Sequence, residues 1–131
     1  MICPCCSEKA FSECCEPFIL EERLPQIPEE LMRSRYTAYT LADVEYLIKT
    51  THPKMRKYYS AKSMKAWAEN SKWLKLEVLS ASGVNVHFKA YFEEAGKLQV
   101  HEEFSTFKQE NGRWYFVEGT SAPPARQAES K

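Results

Sequence analysis

Long hydrophobic runs and a secretory leader are both missing from this 131-residue sequence. No apolar stretch approaches the roughly 20 residues that a transmembrane helix needs. No positively charged segment followed by an apolar one opens the chain, so no signal peptide is predicted. Internal repeats and low-complexity tracts are absent as well. We therefore expect a soluble cytoplasmic protein without a membrane partner, long enough to bury the core of one domain.

Net charge is also lacking, because 18 basic residues balance 18 acidic ones. The distribution is uneven, however, and segment 49–75 carries eight basic residues against the single acid Glu69. Aromatic residues are interleaved with these bases, which is typical of single-stranded RNA-binding or ribosome-binding surfaces. Overall neutrality and an acidic N-terminal third favour an intramolecular balance of charge instead. Nucleic-acid binding through 49–75 is kept as a secondary alternative.

Cysteine is absent after residue 15, yet five cysteines lie within the first 15 residues. Four of them form two close pairs, separated by eight residues: Cys3 with Cys5, and Cys14 with Cys15. This spacing is typical of a knuckle in which each pair gives two thiolates to one tetrahedral metal ion. Disulfides are disfavoured because the cysteine count is odd and neighbouring cysteines bridge poorly.

The knuckle segment also has little to bury, since Ile2, Ala10 and Phe11 are its main apolar residues besides cysteine. Ordering about a dozen residues costs roughly 1–2 kcal/mol for each backbone. A structural zinc ion in a small finger contributes on the order of 10–16 kcal/mol. A metal is therefore the predicted ordering agent, and four thiolates suit Zn²⁺ or iron.

The same residues, CPCCSEKAFSECC, resemble the SEC-C motif, whose usual form is Cys-Pro-Cys-Gly-Ser-Gly-Lys-Lys-Tyr-Lys-x-Cys-Cys. The resemblance implies zinc. Two departures stand out, because Cys6 and Glu8 occupy the two glycine positions. Glycine tolerates left-handed backbone at little cost, so the loop after Cys5 is expected to be strained or reshaped. Cys6 is also a possible competing ligand.

Helical and strand periodicities divide the rest of the chain. Helices are predicted at 28–42, 44–51 and 60–71, and strands at 73–79, 84–92, 98–107 and 114–118. The predicted organisation is a metal knuckle at 1–17, a connector at 18–27, an α+β domain at 28–119 and a disordered tail at 120–131. Three helices followed by an antiparallel meander indicate helices packed on one face of a curved four-stranded sheet.

A second resemblance covers nearly the whole chain. LMRSRYTAYTLADVEYLIKTTHP, Trp73-Leu74 at the start of a strand, and FKQENGRWYFVEG are similar to the YchJ-like family. That family combines an N-terminal SEC-C motif with a nuclear transport factor 2-like (cystatin-like) domain. The resemblance implies a cone-shaped domain with a pocket at its open end.

Candidate pocket residues follow from this implied cone, and they are Arg35, Tyr39, Trp73, His101, Glu103 and Trp114. His101 and Glu103 share a strand face by alternation and are the best acid/base candidates. An exposed strand edge with ordinary polar residues is the favoured interpretation of this pair. Arg35 either packs its stem on the core and pairs with a carboxylate such as Glu103, or lies on a solvated helix face. The only aspartate, Asp43, is better explained as a helix cap than as a base.

The sequence thus favours a cytoplasmic zinc-binding interaction protein over an enzyme, with Cys3, Cys5, Cys14 and Cys15 as ligands. SEC-C motifs in the SecA translocase contact a chaperone or the ribosome, so the resemblance implies a protein partner. The main alternative is a small-molecule-binding or lyase/isomerase-type domain that uses the cone.

Overall fold

The structure is a computed structural model, and it describes residues 1–121. Of the predicted tail, all but Thr120 and Ser121 lies outside the described residues. Four strands form one antiparallel sheet in sequence order: β1 (Ser71–Ser82), β2 (Asn85–Glu94), β3 (Lys97–Glu110) and β4 (Arg113–Thr120). The predicted α+β class, with helices on a four-stranded meander, is confirmed.

Capping residues fix where the helices begin. They are α1 (Glu16–Ile19), α2 (Pro28–Thr40), α3 (Val44–Lys49) and α4 (Ala61–Asn70). Pro28 occupies the first turn of α2 together with two glutamates, where proline and acidic side chains are favoured. The Asp43 carboxylate accepts from the Tyr46 backbone N–H at 3.1 Å and caps α3. The Ser60 hydroxyl caps α4 in the same way.

The three predicted helices are confirmed, and three shorter elements were not predicted. These are the single turn α1 and two 3₁₀ helices, Phe11–Glu13 and Pro53–Tyr58. Short elements such as these carry little periodic signal, which explains why the sequence did not indicate them. Every strand is also longer than predicted, because ladder hydrogen bonding continues beyond the alternating apolar residues.

One face of the sheet carries the core against the helices. Val86, Phe88, Ala90 and Phe92 alternate along β2 and are all buried. Directly opposite residues in an antiparallel pair share a face. Phe88 lies opposite Glu103 and Ala90 opposite His101, so β3 presents both polar side chains to the helix-covered face.

The segment after α3 covers part of the outer edge of β4. Thr51 forms a parallel bridge with Phe116. The His52 N–H donates to the Phe116 carbonyl at 2.8 Å, and the Phe116 N–H donates to the Thr50 carbonyl at 2.7 Å. These bonds satisfy edge groups that would otherwise be open to pairing with another chain.

Across residues 1–121, none of the helices combines the length and the apolar character needed to cross a lipid bilayer.

Candidate metal centre and cleft

A tight hairpin of backbone brings the two cysteine pairs together. Ile2 and Ala10 form an antiparallel bridge, and the Cys3 N–H donates to the Lys9 carbonyl at 2.9 Å. The 3₁₀ turn Phe11–Glu13 and the start of α1 then return the chain to the first pair. The second pair therefore faces the first across a closed loop.

The four predicted ligand sulfurs converge. The Sγ atoms of Cys3, Cys5, Cys14 and Cys15 all lie within 4.8 Å of one another. Cys5 Sγ lies 3.6 Å from Cys14 Sγ, which lies 3.9 Å from Cys15 Sγ. Tetrahedral Zn²⁺ with Zn–S bonds of about 2.3 Å requires sulfurs about 3.8 Å apart. The donor set therefore fits a metal ion, and all five cysteines are free of disulfides.

The thiols perturb one another strongly. A hydrogen bond from Cys15 lowers the pKa of the Cys5 thiol to about 4, despite the burial that opposes it. The pKa of Cys15 is raised well above its ordinary value, because it shares that bond and is buried. Buried thiolates this close together cannot all ionise without a compensating positive charge. A bound divalent cation would supply that charge.

The knuckle lies directly against α2. Arg33 Nη1 donates to the Cys5 carbonyl at 2.7 Å, and its Nε donates to Glu29 at 3.0 Å. Cys3 Sγ lies 3.7 Å from the Thr37 hydroxyl, which is fully buried. Hydrogen-bond donors beside the sulfurs orient the ligands and stabilise their charge. The cysteine cluster is thus attached to the α+β domain.

Cys6 stands apart from the other four cysteines. Its side chain is exposed, and its Sγ accepts from the Leu76 N–H of β1 at 3.4 Å. It is not among the four sulfurs that converge. The structure therefore places the possible competing ligand outside the cluster.

The two positions where the SEC-C pattern has glycine adopt left-handed backbone in this chain. Cys6 has φ of 67° and Glu8 has φ of 71°. For residues with a side chain this region costs roughly 1–2 kcal/mol. The turn geometry of the knuckle is therefore retained without its glycines, at a cost in stability.

Glu8→Gly is expected to raise the free energy of unfolding by about 0.5–1 kcal/mol, because glycine removes the strain at positive φ. Chemical denaturation of the metal-loaded protein measures the change. Lys9→Gly is the matched control, since Lys9 is exposed and is not a positive-φ residue. Lys9→Gly should be less stable than the parent protein, because glycine there adds backbone freedom without relieving strain. If both glycines destabilised equally, the strain at Glu8 would be refuted.

A cleft of about 400 Å³ opens between the helices and the concave face of the sheet. The sheet contributes Trp73, Phe88, His101, Glu103 and Phe116 to its walls. The helical side contributes Arg35, Tyr36, Tyr39, Tyr59, Met64 and Trp67. Five of the six predicted pocket residues line this cleft.

Trp114 does not line the cleft. It faces the same side of β4 as Phe116 but lies two residues nearer the strand's start, beneath the connector. Its indole Nε1 donates to the Gln26 carbonyl at 3.1 Å. Trp114 instead ties the connector 18–27 to the sheet.

Glu103 is fixed by two neighbours on its own strand. His101 Nε2 lies 2.7 Å from one carboxylate oxygen, and the Ser105 hydroxyl donates to the other at 2.5 Å. Burial alone would raise the pKa of Glu103, but these hydrogen bonds outweigh it and the pKa lies below its ordinary value. The carboxylate is thus held between His101 and Ser105.

The favoured interpretation of His101 and Glu103 as an exposed strand edge is wrong. β3 lies between β2 and β4, so it is not an edge. The Glu103 side chain is only 19% exposed, and Ser105 is 1% exposed. The pair belongs to the cleft.

Arg35 is buried and donates from Nη1 to the Leu47 carbonyl at 2.9 Å and to the Thr50 hydroxyl at 2.7 Å. Its guanidinium carbon lies 4.3 Å from the centre of the Phe116 ring. Burial lowers the pKa of Arg35. The expected ion pair with Glu103 is not formed at salt-bridge distance, and Arg35 makes no salt bridge within residues 1–121. The Glu103 charge still acts on Arg35 through space and opposes the lowering of its pKa.

Part of the basic segment 49–75 is engaged within the protein. Arg56 donates to the backbone carbonyls of Thr51 and Lys49, and Lys49 pairs with Glu21. Lys75 lies over the Tyr91 ring. These contacts reduce the number of bases free to bind phosphate.

The fold and the cysteine cluster together define a SEC-C knuckle attached to a nuclear transport factor 2-like domain. Residues 27–119 match the family described as YchJ, middle NTF2-like domain. The chain is 39% identical to UPF0225 protein GSU1048 of Geobacter sulfurreducens, over 99% of this chain and 85% of that protein. It is also 39% identical to a UPF0225 protein of Haemophilus influenzae, over 93% of this chain and 79% of that protein. The chain therefore belongs to the YchJ-like family.

Two solved structures have the same arrangement. The solution structure of RPA3114, a SEC-C motif containing protein from Rhodopseudomonas palustris, gives a TM-score of 0.86 at 41% identity and covers 94% of this chain and 100% of that one. The crystal structure of a SEC-C motif containing protein from Psychrobacter arcticus gives a TM-score of 0.76 at 32% identity. The match covers 95% of this chain and 84% of that one. Both support the SEC-C assignment of residues near the N-terminus.

Proposed function

We propose that the protein is a cytoplasmic zinc protein whose knuckle is a structural site that recognises a protein partner. The observation that carries the metal assignment is the convergence of four sulfurs within 4.8 Å of one another. Three of these cysteines are at most 2% exposed, so the site is closed. Closed tetrathiolate sites are typical of structural zinc, whereas catalytic sites keep an open position.

Zinc is proposed because the SEC-C resemblance implies zinc, whereas four thiolates alone suit zinc or iron. The cytoplasm keeps such thiols reduced, which agrees with the absence of disulfides among the described cysteines. Cys3, Cys5, Cys14 and Cys15 would hold the ion, and Thr37 and Arg33 would orient the loop that carries them.

The partner-binding proposal rests on the outer surface of the knuckle. Met1 is 90% exposed and Ile2 is 64% exposed, although both are apolar. Ile2 lies in the hairpin bridge that the cysteines close, so its position depends on the metal-bound loop. Apolar side chains presented by a rigid scaffold are typical of protein-binding surfaces.

Capture from a cell lysate tests this proposal. Metal-loaded protein should retain a specific partner that is lost after metal removal and in Ile2→Lys. Leu98→Lys is the matched control, because Leu98 is 63% exposed on β3, away from the knuckle, and should leave capture unchanged. Equal loss in both variants, or capture that depends on intact RNA, would contradict the proposal.

A further inference from the structure

The cleft has features that the metal knuckle does not use. Its volume of about 400 Å³ falls within the range of about 300–1,000 Å³ that is usual for small-molecule sites. Tyr39, Trp67 and Trp73 pack edge to face or tilted, with ring centroids 5.1–5.8 Å from their neighbours. Rigid aromatic walls of this kind favour a flat, apolar ligand body.

Arg35 gives the cleft a specific polar anchor. It is 8% exposed and lines the cleft. Within residues 1–121, every hydrogen bond of the Arg35 side chain is donated by Nη1. The Nε–H and Nη2–H groups donate to no residue of that range. This side of a guanidinium is a planar fork that matches the two oxygens of a carboxylate.

Glu103 does not occupy that fork. Its two oxygens accept from His101 and Ser105 on β3 instead of from Arg35. The Arg35 fork is therefore not occupied by the Glu103 carboxylate, although the two charges act on each other through space. Anchoring of an anion at this position would give the buried guanidinium the direct salt bridge that residues 1–121 do not form with it.

We propose that the cleft is a binding site for a small aromatic carboxylic acid of one or two rings. The ligand's carboxylate would accept from Arg35, and its ring would lie against Trp67 and Trp73. A polar substituent on the ligand ring would lie beside the His101 imidazole, which lines the cleft. This site is separate from the zinc knuckle, so either proposal can fail without the other.

Nuclear magnetic resonance of the three indole N–H groups tests the proposal, because Trp67 and Trp73 line the cleft and Trp114 lies outside it. Titration with 2-naphthoate should shift the Trp67 and Trp73 signals saturably and leave Trp114 unshifted. The neutral amide and the primary amine of the same ring system should bind at least about tenfold more weakly, since neither matches the Arg35 fork.

Two variants complete the experiment. Arg35→Met should weaken naphthoate binding by about tenfold or more while the amide is unaffected. Ser63→Phe should weaken all three probes, because Ser63 is an exposed residue of the cleft wall and the new ring fills it. If Arg35→Met does not fold, the comparison of probes on the parent protein and on Ser63→Phe decides the question. The proposal is overturned if the amine or amide binds as tightly as the carboxylate, or if Trp114 shifts equally.

Discussion

Cys15→Ser is expected to lose bound zinc and to lower the free energy of unfolding by several kcal/mol. Cys15 is 1% exposed, and its sulfur lies 3.9 Å from that of Cys14. A ligand that binds only the folded state stabilises it by about 4 kcal/mol at 1,000 times its dissociation constant. Loss of zinc removes that stabilisation, and residues 1–17 should then lose their protection from proteolysis and hydrogen exchange.

Cys6→Ser provides the matched control for this experiment. It changes the same residue type in the same loop, but Cys6 lies outside the sulfur cluster. Metal analysis of purified protein and denaturant unfolding should find about one zinc per chain and nearly parental stability in Cys6→Ser. If Cys15→Ser retained the same zinc content and stability as Cys6→Ser, the four-thiolate assignment would be wrong.

Gly119→Ala is expected to lower the free energy of unfolding by about 1–3 kcal/mol, the usual cost of inserting a methyl group into packed structure. A Cβ atom at Gly119 would overlap the side-chain carboxyl group of Glu103. Glu103 cannot move away freely, because His101 and Ser105 hold its two oxygens. The alanine should therefore break at least one of these bonds and weaken ligand binding in the cleft.

A double-mutant cycle separates this effect from a general loss of backbone freedom. In a Glu103→Ala background the space beside Gly119 is open, so Gly119→Ala should cost little there. Urea denaturation of the four proteins gives the coupling free energy. A penalty for Gly119→Ala that is the same in both backgrounds would rule out the packing of Glu103 on Gly119 as its cause.

The four converging cysteines could be predicted from the sequence because their signal is local. Two closely spaced cysteine pairs with eight residues between them leave few alternatives to one shared ion. The left-handed backbone at Cys6 and Glu8 could also be anticipated, because the SEC-C motif has glycine at both positions and glycine favours positive φ. What the local pattern could not indicate is the docking of the knuckle on α2 through Arg33 and Thr37.

The cleft was only partly predictable, because its geometry depends on strand register and order. Alternation places His101 and Glu103 on one face of β3, but it does not say whether that face is covered. The pairing of Phe88 with Glu103 and the central position of β3 decide this point. The same limit explains Trp114, which shares a strand face with Phe116 yet lies under the connector. Gly119 gave no signal at all, since its role arises only from contact with Glu103.

X-ray absorption at the zinc edge of the purified, metal-loaded protein tests the central claim most directly. Four sulfur atoms from Cys3, Cys5, Cys14 and Cys15 should give a single shell at about 2.3 Å with no oxygen or nitrogen ligand. Cys6→Ser should leave this spectrum unchanged. A shell of fewer sulfurs completed by oxygen or nitrogen, or the absence of zinc from protein purified in its presence, would contradict the account.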